Sequence, residues 1–237
     1  GINSTVMTLT LSGGKVILGC GFSTANEITG NRLAAIDLTT GEPTAWNPNV
    51  NNAVNALAMT DSAVIAGGSF STVAGTSFSR LVAIDKTSGM PNASWLPNPS
   101  NTVYSLLVNG QTIYVGGAFS SIGGQSRSRL GAIDLSTGLA TSFNPNVNNT
   151  VFRMILNGPN LFIAGNFSTV GSASRNRIAS INVNSGGVTN WNPNANNTVN
   201  ALVLAGSVIY AGGDFTNFAG ASKSRLAAID TNSSTVT

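Results

Sequence analysis

The sequence predicts an all-β propeller: five four-stranded antiparallel blades of about 48 residues each, in one domain spanning residues 1–237. Three observations carry this. One motif recurs five times in register. Each copy holds four short apolar runs separated by turn residues. No stretch keeps a helical period over three turns. The units run approximately over residues 1–48, 49–97, 98–145, 146–193 and 194–237.

The register is set by a valine before the first apolar run: Val6, Val54, Val103, Val151 and Val199. Each valine is followed at fixed distance by a phenylalanine (Phe22, Phe70, Phe119, Phe167, Phe215) and then by an arginine (Arg32, Arg80, Arg129, Arg177, Arg225). An acid or amide comes next, at Asp37, Asp85, Asp134, Asn182 and Asp230. An aromatic closes the first four units, at Trp46, Trp95, Phe143 and Trp191. The second unit is one residue longer, within Met90–Trp95.

In that unit the four runs are residues 54–59, 63–70, 80–85 and 90–95. The first carries apolar residues at both alternating phases, as expected of a strand covered on both faces by neighbouring blades. The second ends in Gly67–Gly68, a pair repeated at Gly116–Gly117 and Gly212–Gly213, with Cys20 and Ala164 each replacing one glycine elsewhere. Glycine inside a strand marks a bulge or a close backbone approach. Between the third and fourth runs, Asp85 is placed to cap a turn whose Gly89 takes positive φ. The first strand is expected at the centre and the fourth at the rim. The phenylalanines and closing aromatics are expected in the core between blades, and the arginines as ion pairs or hydrogen-bond anchors.

These motifs resemble known families along the whole chain. Residues 66–85 and 116–146, with Gly-Gly-x-Phe, a glycine-containing loop, an Arg-Leu strand and Ser-Phe-Asn, are similar to the bacterial delta-sixty propeller repeat. Residues 35–46 also resemble the tryptophan-docking motif of pyrroloquinoline-quinone enzymes, with the tryptophan one residue late. The strand ending in Gly-Gly, followed later by tryptophan, is similar to kelch repeats. All three families imply a propeller. The delta-sixty likeness implies a large bacterial surface protein and transfers no activity.

Composition narrows the function. Only 8% of the residues are charged, about a third of the ordinary share, so Asn, Ser, Thr and Gly carry the solvation. This suits a secreted or cell-surface protein. The net charge of +3 comes without basic runs, so no nucleic-acid partner is expected. No apolar stretch approaches the 18 residues of a membrane span, and none is expected to insert. There is no histidine, which removes the common nucleophile–base pairs and the commonest transition-metal ligand. Cys20 stands in a glycine slot and is read as space-filling. The repeated Asp is spread around a ring, whereas catalytic carboxylates must converge on one substrate. One Asp with hydroxyls and carbonyls is too little charge for a tight calcium site. The expectation is a protein that is not an enzyme, with no catalytic residue, cofactor or metal.

Candidate ligand-face residues are Asn49, Asn146 and Asn194 in the Asn-Pro-Asn runs, Arg127, Arg175 and Lys223 in the loops, and Arg153. Alternation of strand direction puts the loops after the second and fourth strands on one face, polar, amide-rich and mildly basic. Arg153 stands where the other units carry Thr8, Ala56, Ser105 and Ala201; it is read first as a solvated or paired structural arginine, with lining of the central channel as the alternative. The function expected is a non-catalytic module for adhesion, scaffolding or assembly, its partners other surface proteins. A multivalent glycan-binding propeller is the alternative. The ends of the chain are consecutive positions of one repeat, so a closed five-blade monomer is expected, with Gly1 beside Thr237. An obligate oligomer is the expectation for repeats that belong to a longer array.

Overall fold

The computed structural model describes residues 2–25, 28–29 and 31–237, and it is all-β. Each unit is built on a three-stranded antiparallel sheet. The inner strands are Val6–Ser12, Val54–Met59, Val103–Asn109, Val151–Asn157 and Val199–Ala205. Each pairs with a six-residue second strand (Ala63–Gly68 in the second unit), which pairs in turn with a five-residue third strand (Leu81–Asp85). A two-stranded hairpin, Thr72–Val73 with Thr76–Ser77, lies between second and third strands and recurs in every unit.

The fourth strand is smaller than the sequence predicts. It survives as one isolated bridge per unit: Ile36 with Pro43, Ile84 with Pro91, Ile133 with Ala140, Ile181 with Val188 and Ile229 with Val236. Two backbone hydrogen bonds flank each bridge, as from Asp85 N to Met90 O and from Asn92 N to Ala83 O. Proline at the bridge in the first two units has no N–H to extend the ladder. The chain then leaves the sheet so that its aromatic enters the gap to the next unit. Trp46 donates its indole N–H to the Asp85 carbonyl at 3.0 Å, and Trp191 does the same to Asp230 at 2.9 Å.

The core sits between neighbouring sheets. Ile17, Leu33 and Ala35 of the first unit pack with Val54, Val64, Val82 and Ile84 of the second, and the pattern repeats along the chain. All five repeated phenylalanines are fully buried, as expected. The repeated arginines are hydrogen-bond anchors. Each takes positive φ, from 63° to 69°, and returns its own N–H to the repeated phenylalanine's carbonyl. Arg177 spans back to Asn166 O at 2.7 Å, while Arg80 reaches Pro99 O of the following unit at 3.3 Å. Among the described residues one ion pair forms, Arg225 with Asp214 at 3.5 Å, and it is exposed.

The repeated acid caps its turn as the sequence predicts. Asp85 Oδ1 accepts from the N–H groups of Thr87 and Ser88, and Asn182 makes the same pair of bonds with Asn184 and Ser185. These bonds hold the carboxyls below their ordinary value of 3.8. The largest cause is the backbone N–H of Thr40 for Asp37, of Ser88 for Asp85 and of Ser233 for Asp230, and the Ser136 hydroxyl for Asp134. A carboxyl depressed in the fold stabilises it above the unfolded value and loses that contribution as pH falls through the folded one. Melting temperature is therefore expected to be flat from pH 5 to 8, where no histidine titrates, and to fall below about pH 4. Replacing all four aspartates by Asn, as Asn182 already does, should make that acid limb shallower. An unchanged limb would assign it to other carboxyls.

The expected closure of the ring is not what the structure shows. The outward faces of the first and fifth sheets remain bare, with Leu9, Leu11, Val203, Tyr210 and Leu226 all exposed. With those two faces uncovered, the five units form an open arc. Gly1 lies outside the described residues, so its place beside Thr237 is not defined.

Candidate functional site

The side chains that reach the axis are chosen by a β-bulge. Every inner strand shifts register at its second residue, between Val54 and Ala56 in the second unit and at the matching place in the others. The bulge lies where two backbones come close, at the second glycine position of the pair, and it forms also in the first unit, where Cys20 holds that position. A Cβ on Gly68 would lie 2.0 Å from Ala53 O, and on Gly165 2.0 Å from Thr150 O, so the two backbones touch where the valine enters. An extra residue turned out of the pleat relieves that approach and re-aims its side chain. The residues so displayed are Met7, Asn55, Tyr104, Phe152 and Asn200.

Together with Thr5 and Arg153 these five side chains line one cleft of about 350 Å³ at the inner strands. Tyr104 and Phe152 meet edge to face, ring centroids 5.4 Å apart. Arg153 lies in the same cleft. It is exposed and donates to the carbonyls of Phe152 at 2.8 Å and Tyr104 at 3.4 Å. Asn55 Nδ2 donates to Val103 O at 3.2 Å and Asn200 Nδ2 to Asp214 Oδ2 at 3.2 Å. The cleft thus offers apolar and aromatic surface, two amides and one guanidinium, with no carboxylate in its lining.

The loop face is assembled as predicted, since Val50, Val147 and Ala195 after the Asn-Pro-Asn runs bridge to the hairpins at Val73, Val170 and Phe218. Its asparagines are exposed, and many of its polar groups are bonded within the loops. Asn49, Asn146 and Asn194 take positive φ, which asparagine tolerates, and Asn49 and Asn194 accept from Asn31 and Asn176 at 2.6 Å. Arg175 spends its guanidinium on the carbonyls of Ser174 and Thr189, at 2.8 and 2.6 Å, and Arg127 on Ser126 and Thr141. Lys223, at the matching position, is half-buried. In the second unit that position holds the buried Phe78, which marks it as a packing site.

A set of clips went unread in the sequence. Asn51, Asn148 and Asn196 each accept two hairpin N–H bonds on Oδ1 and donate Nδ2 to a hydroxyl, Asn51 to Ser71 Oγ at 2.9 Å. Their fixed place three residues before the repeated valine was the available signal. Cys20 is buried, and that burial pushes its thiol above the ordinary value.

A sequence-family model described as outer membrane protein assembly factor BamB matches residues 2–144, more than half of the chain. The chain belongs to this BamB-type family of quinoprotein-like propeller repeats. No curated protein matches its sequence. Among solved structures, the BamB-type chain is similar to the WD40 β-propeller domain of Doa1, with a TM-score of 0.66 and 11% identity, over 100% of this chain and 68% of that one. It is also similar to the computationally designed Ika8 protein, with a TM-score of 0.65 and 13% identity, over 98% of this chain. The chain spans 60% of the length of Ika8. The designed Ika4 protein aligns over 77% of this chain and 94% of its own, at 13% identity and a TM-score of 0.52. At these identities the likeness is one of fold. It gives the BamB-type chain a β-propeller type of fold, built on three-stranded sheets in place of the four-stranded blades expected.

Proposed function

We propose that this propeller is a non-catalytic scaffold for protein interaction and assembly at a bacterial envelope or cell surface, and that it engages its partner through the inner-strand cleft. The observation that supports the reading is the bulge row. The fold turns five side chains toward one cleft and fills those positions with Met, Tyr and Phe beside a lone Arg. Aromatic residues and Arg dominate the energetics of protein interfaces. The description of the matched family as an outer membrane protein assembly factor points the same way. The missing histidine and the capping role of the repeated Asp support a non-catalytic reading.

A β-barrel polypeptide presented before folding supplies extended segments with alternating apolar side chains, and an acidic residue beside such a segment would meet Arg153. Such a segment suits an apolar cleft carrying one cation. Titration calorimetry with extended peptides of that pattern should show binding that Phe152→Ala and Arg153→Glu each weaken by about tenfold or more. Both side chains are solvent-accessible, so the β-sheet circular dichroism should be unchanged. Equal affinity in all three proteins would remove the cleft as the site. The alternatives, adhesion through the amide-rich loops and glycan binding, rest on the same loop face. Its clip asparagines already use both ends of their amides internally, which leaves fewer groups for sugar hydroxyls. Binding on a dense glycan array that survives Phe152→Ala and Arg153→Glu would favour the glycan reading.

A further inference from the structure

The junction between the third and fourth units departs from the other three, on the face opposite the Asn-Pro-Asn loops. Elsewhere the closing aromatic is a tryptophan, and Trp46 and Trp191 send their indole N–H to the carbonyl of the repeated acid in the next unit. The third unit closes with Phe143, which has no N–H to give. The Asn182 carbonyl at the matching place is left, among the described residues, with the turn bond from Gly186 N at 2.9 Å. The phenyl also falls short of the slot. A Cβ on Gly89 or Gly138 would lie 3.4 or 3.3 Å from the ring of Trp46 or Trp95, whereas one on Gly186 would lie 3.9 Å from the ring of Phe143.

The space so left belongs to a pocket of about 140 Å³. That is the size class of one six-membered ring, since a cavity of about 150 Å³ holds benzene. Tyr114 and Phe143 meet edge to face, centroids 5.2 Å apart, and form its aromatic wall. Tyr114 stands where the other junctions carry Ile17, Ile65 and Phe162, so its hydroxyl is a polar group that those junctions lack. The residue is 6% exposed, and among the described residues its hydroxyl has no partner. Burial pushes its titration above the ordinary value, so it stays a neutral donor and acceptor. The hydroxyls of Thr112 and Ser142 and the side-chain amide of Asn184 line the same pocket, likewise without partners among the described residues. A buried polar group left unbonded costs stability, and a hydrocarbon at the Tyr114 position avoids that cost at the other junctions.

The lining selects the class of ligand. A purely aromatic ring would leave these four groups unbonded. An anion would find no Lys or Arg in the wall. A pyranose ring matches both parts, with hydroxyls that donate and accept along its edge and a C–H face that lies on an aromatic ring. The geometry points to a single sugar-binding site at this junction, in which one pyranose unit rests against Tyr114 and Phe143 and exchanges hydrogen bonds with Thr112, Tyr114, Ser142 and Asn184. The site is separate from the inner-strand cleft and from the loop face, and it belongs to one junction of the four.

The test is a titration of the full chain with the methyl glycosides of glucose, galactose, mannose and N-acetylglucosamine, read by calorimetry and ligand-observed NMR. At least one should bind in the millimolar range. Phe143→Trp copies the other units, fills the slot and supplies an N–H to the Asn182 carbonyl. It should abolish binding while keeping or raising the melting temperature. Tyr114→Phe copies the fourth unit and should weaken binding about fivefold, the ordinary worth of one uncharged hydrogen bond, with the fold intact. Phe152→Ala, at the cleft, should bind as the parent does. Failure of all four glycosides to bind overturns the proposal. So does binding that Phe143→Trp or Tyr114→Phe leaves unchanged, or binding that Phe152→Ala removes. Indole is the control ligand, and a pocket that takes indole but no glycoside is an aromatic site, which overturns the sugar reading. The peptide titration at the cleft succeeds or fails separately.

Discussion

Phe119→Ala should destabilise the protein by about 3–5 kcal/mol, the usual range for emptying a fully buried phenylalanine site. The ring has no exposed surface and belongs to the cluster of Trp95, Val103, Ile113, Val115 and Ile122, which joins the second unit to the third. Its site is enclosed by backbone as well as side chains, since a Cβ at Gly117 would already lie 3.0 Å from its ring. The walls therefore have little room to collapse into the cavity. Chemical denaturation followed by tryptophan fluorescence reads the effect, because Trp95 shares the cluster. Phe152→Ala is the control, a half-buried ring at the cleft that should cost far less. Equal midpoints for the two variants would show that the repeated phenylalanine does not hold the junction.

The second large effect is expected from a single methyl group. Gly165→Ala places a Cβ 2.0 Å from the Thr150 carbonyl oxygen, so the backbone there must shift to admit it. A loss of about 3 kcal/mol or more is expected, at or above the upper end of ordinary overpacking. Gly212→Ala, in a slot whose nearest neighbour is 3.7 Å away, should fold with nearly unchanged stability. The first unit shows how such a residue is accommodated. Cys20 occupies the second-glycine position there, and the adjoining bond from Gly21 N to Thr5 O is 3.4 Å, against 2.8 Å from Ala118 N to Thr102 O. The lead-in to the first inner strand has moved to admit the side chain. Thermal melts of the two alanine variants test the contrast. Similar melting temperatures would mean that the sheet relaxes freely at this point.

Much of this architecture is legible from spacing alone. The repeated valine, phenylalanine and aromatic can be read as core because residues that recur at one register position in every unit must meet equivalent surroundings. The capping role of Asp85 is equally local, since an Asx turn needs only the residues that follow it. Where the outcome depends on three-dimensional angles, the sequence is silent. The 90–95 run looks like a strand by composition, yet the need to drop Trp95 into the next junction ends its pairing after one bridge. Closure depends on how far each wedge of side chains rotates the next sheet, a sum that no single residue reports. The cleft was half visible. Arg153 stood out as a departure from small residues, while Met7, Tyr104 and Phe152 did not. Their strand alternates apolar side chains at both phases, and a bulge is needed to send this one position to the axis. Arg127 and Arg175 misled in the other direction. A loop arginine reads as solvent-facing until its guanidinium is seen to hold main-chain carbonyls.

The bulge separates what the blade needs from what it shows. The register shift recurs in all five units, and the residue it turns out is exposed or half-buried at the cleft and not part of the core between sheets. The units already place methionine, asparagine, tyrosine and phenylalanine there on one unchanged sheet geometry. Five such positions converging on a single opening amount to a small combinatorial alphabet on a fixed scaffold. Randomising residues 7, 55, 104, 152 and 200 together should alter recognition while leaving the melting temperature close to that of the parent, which makes this row the natural place for both drift and engineering to act.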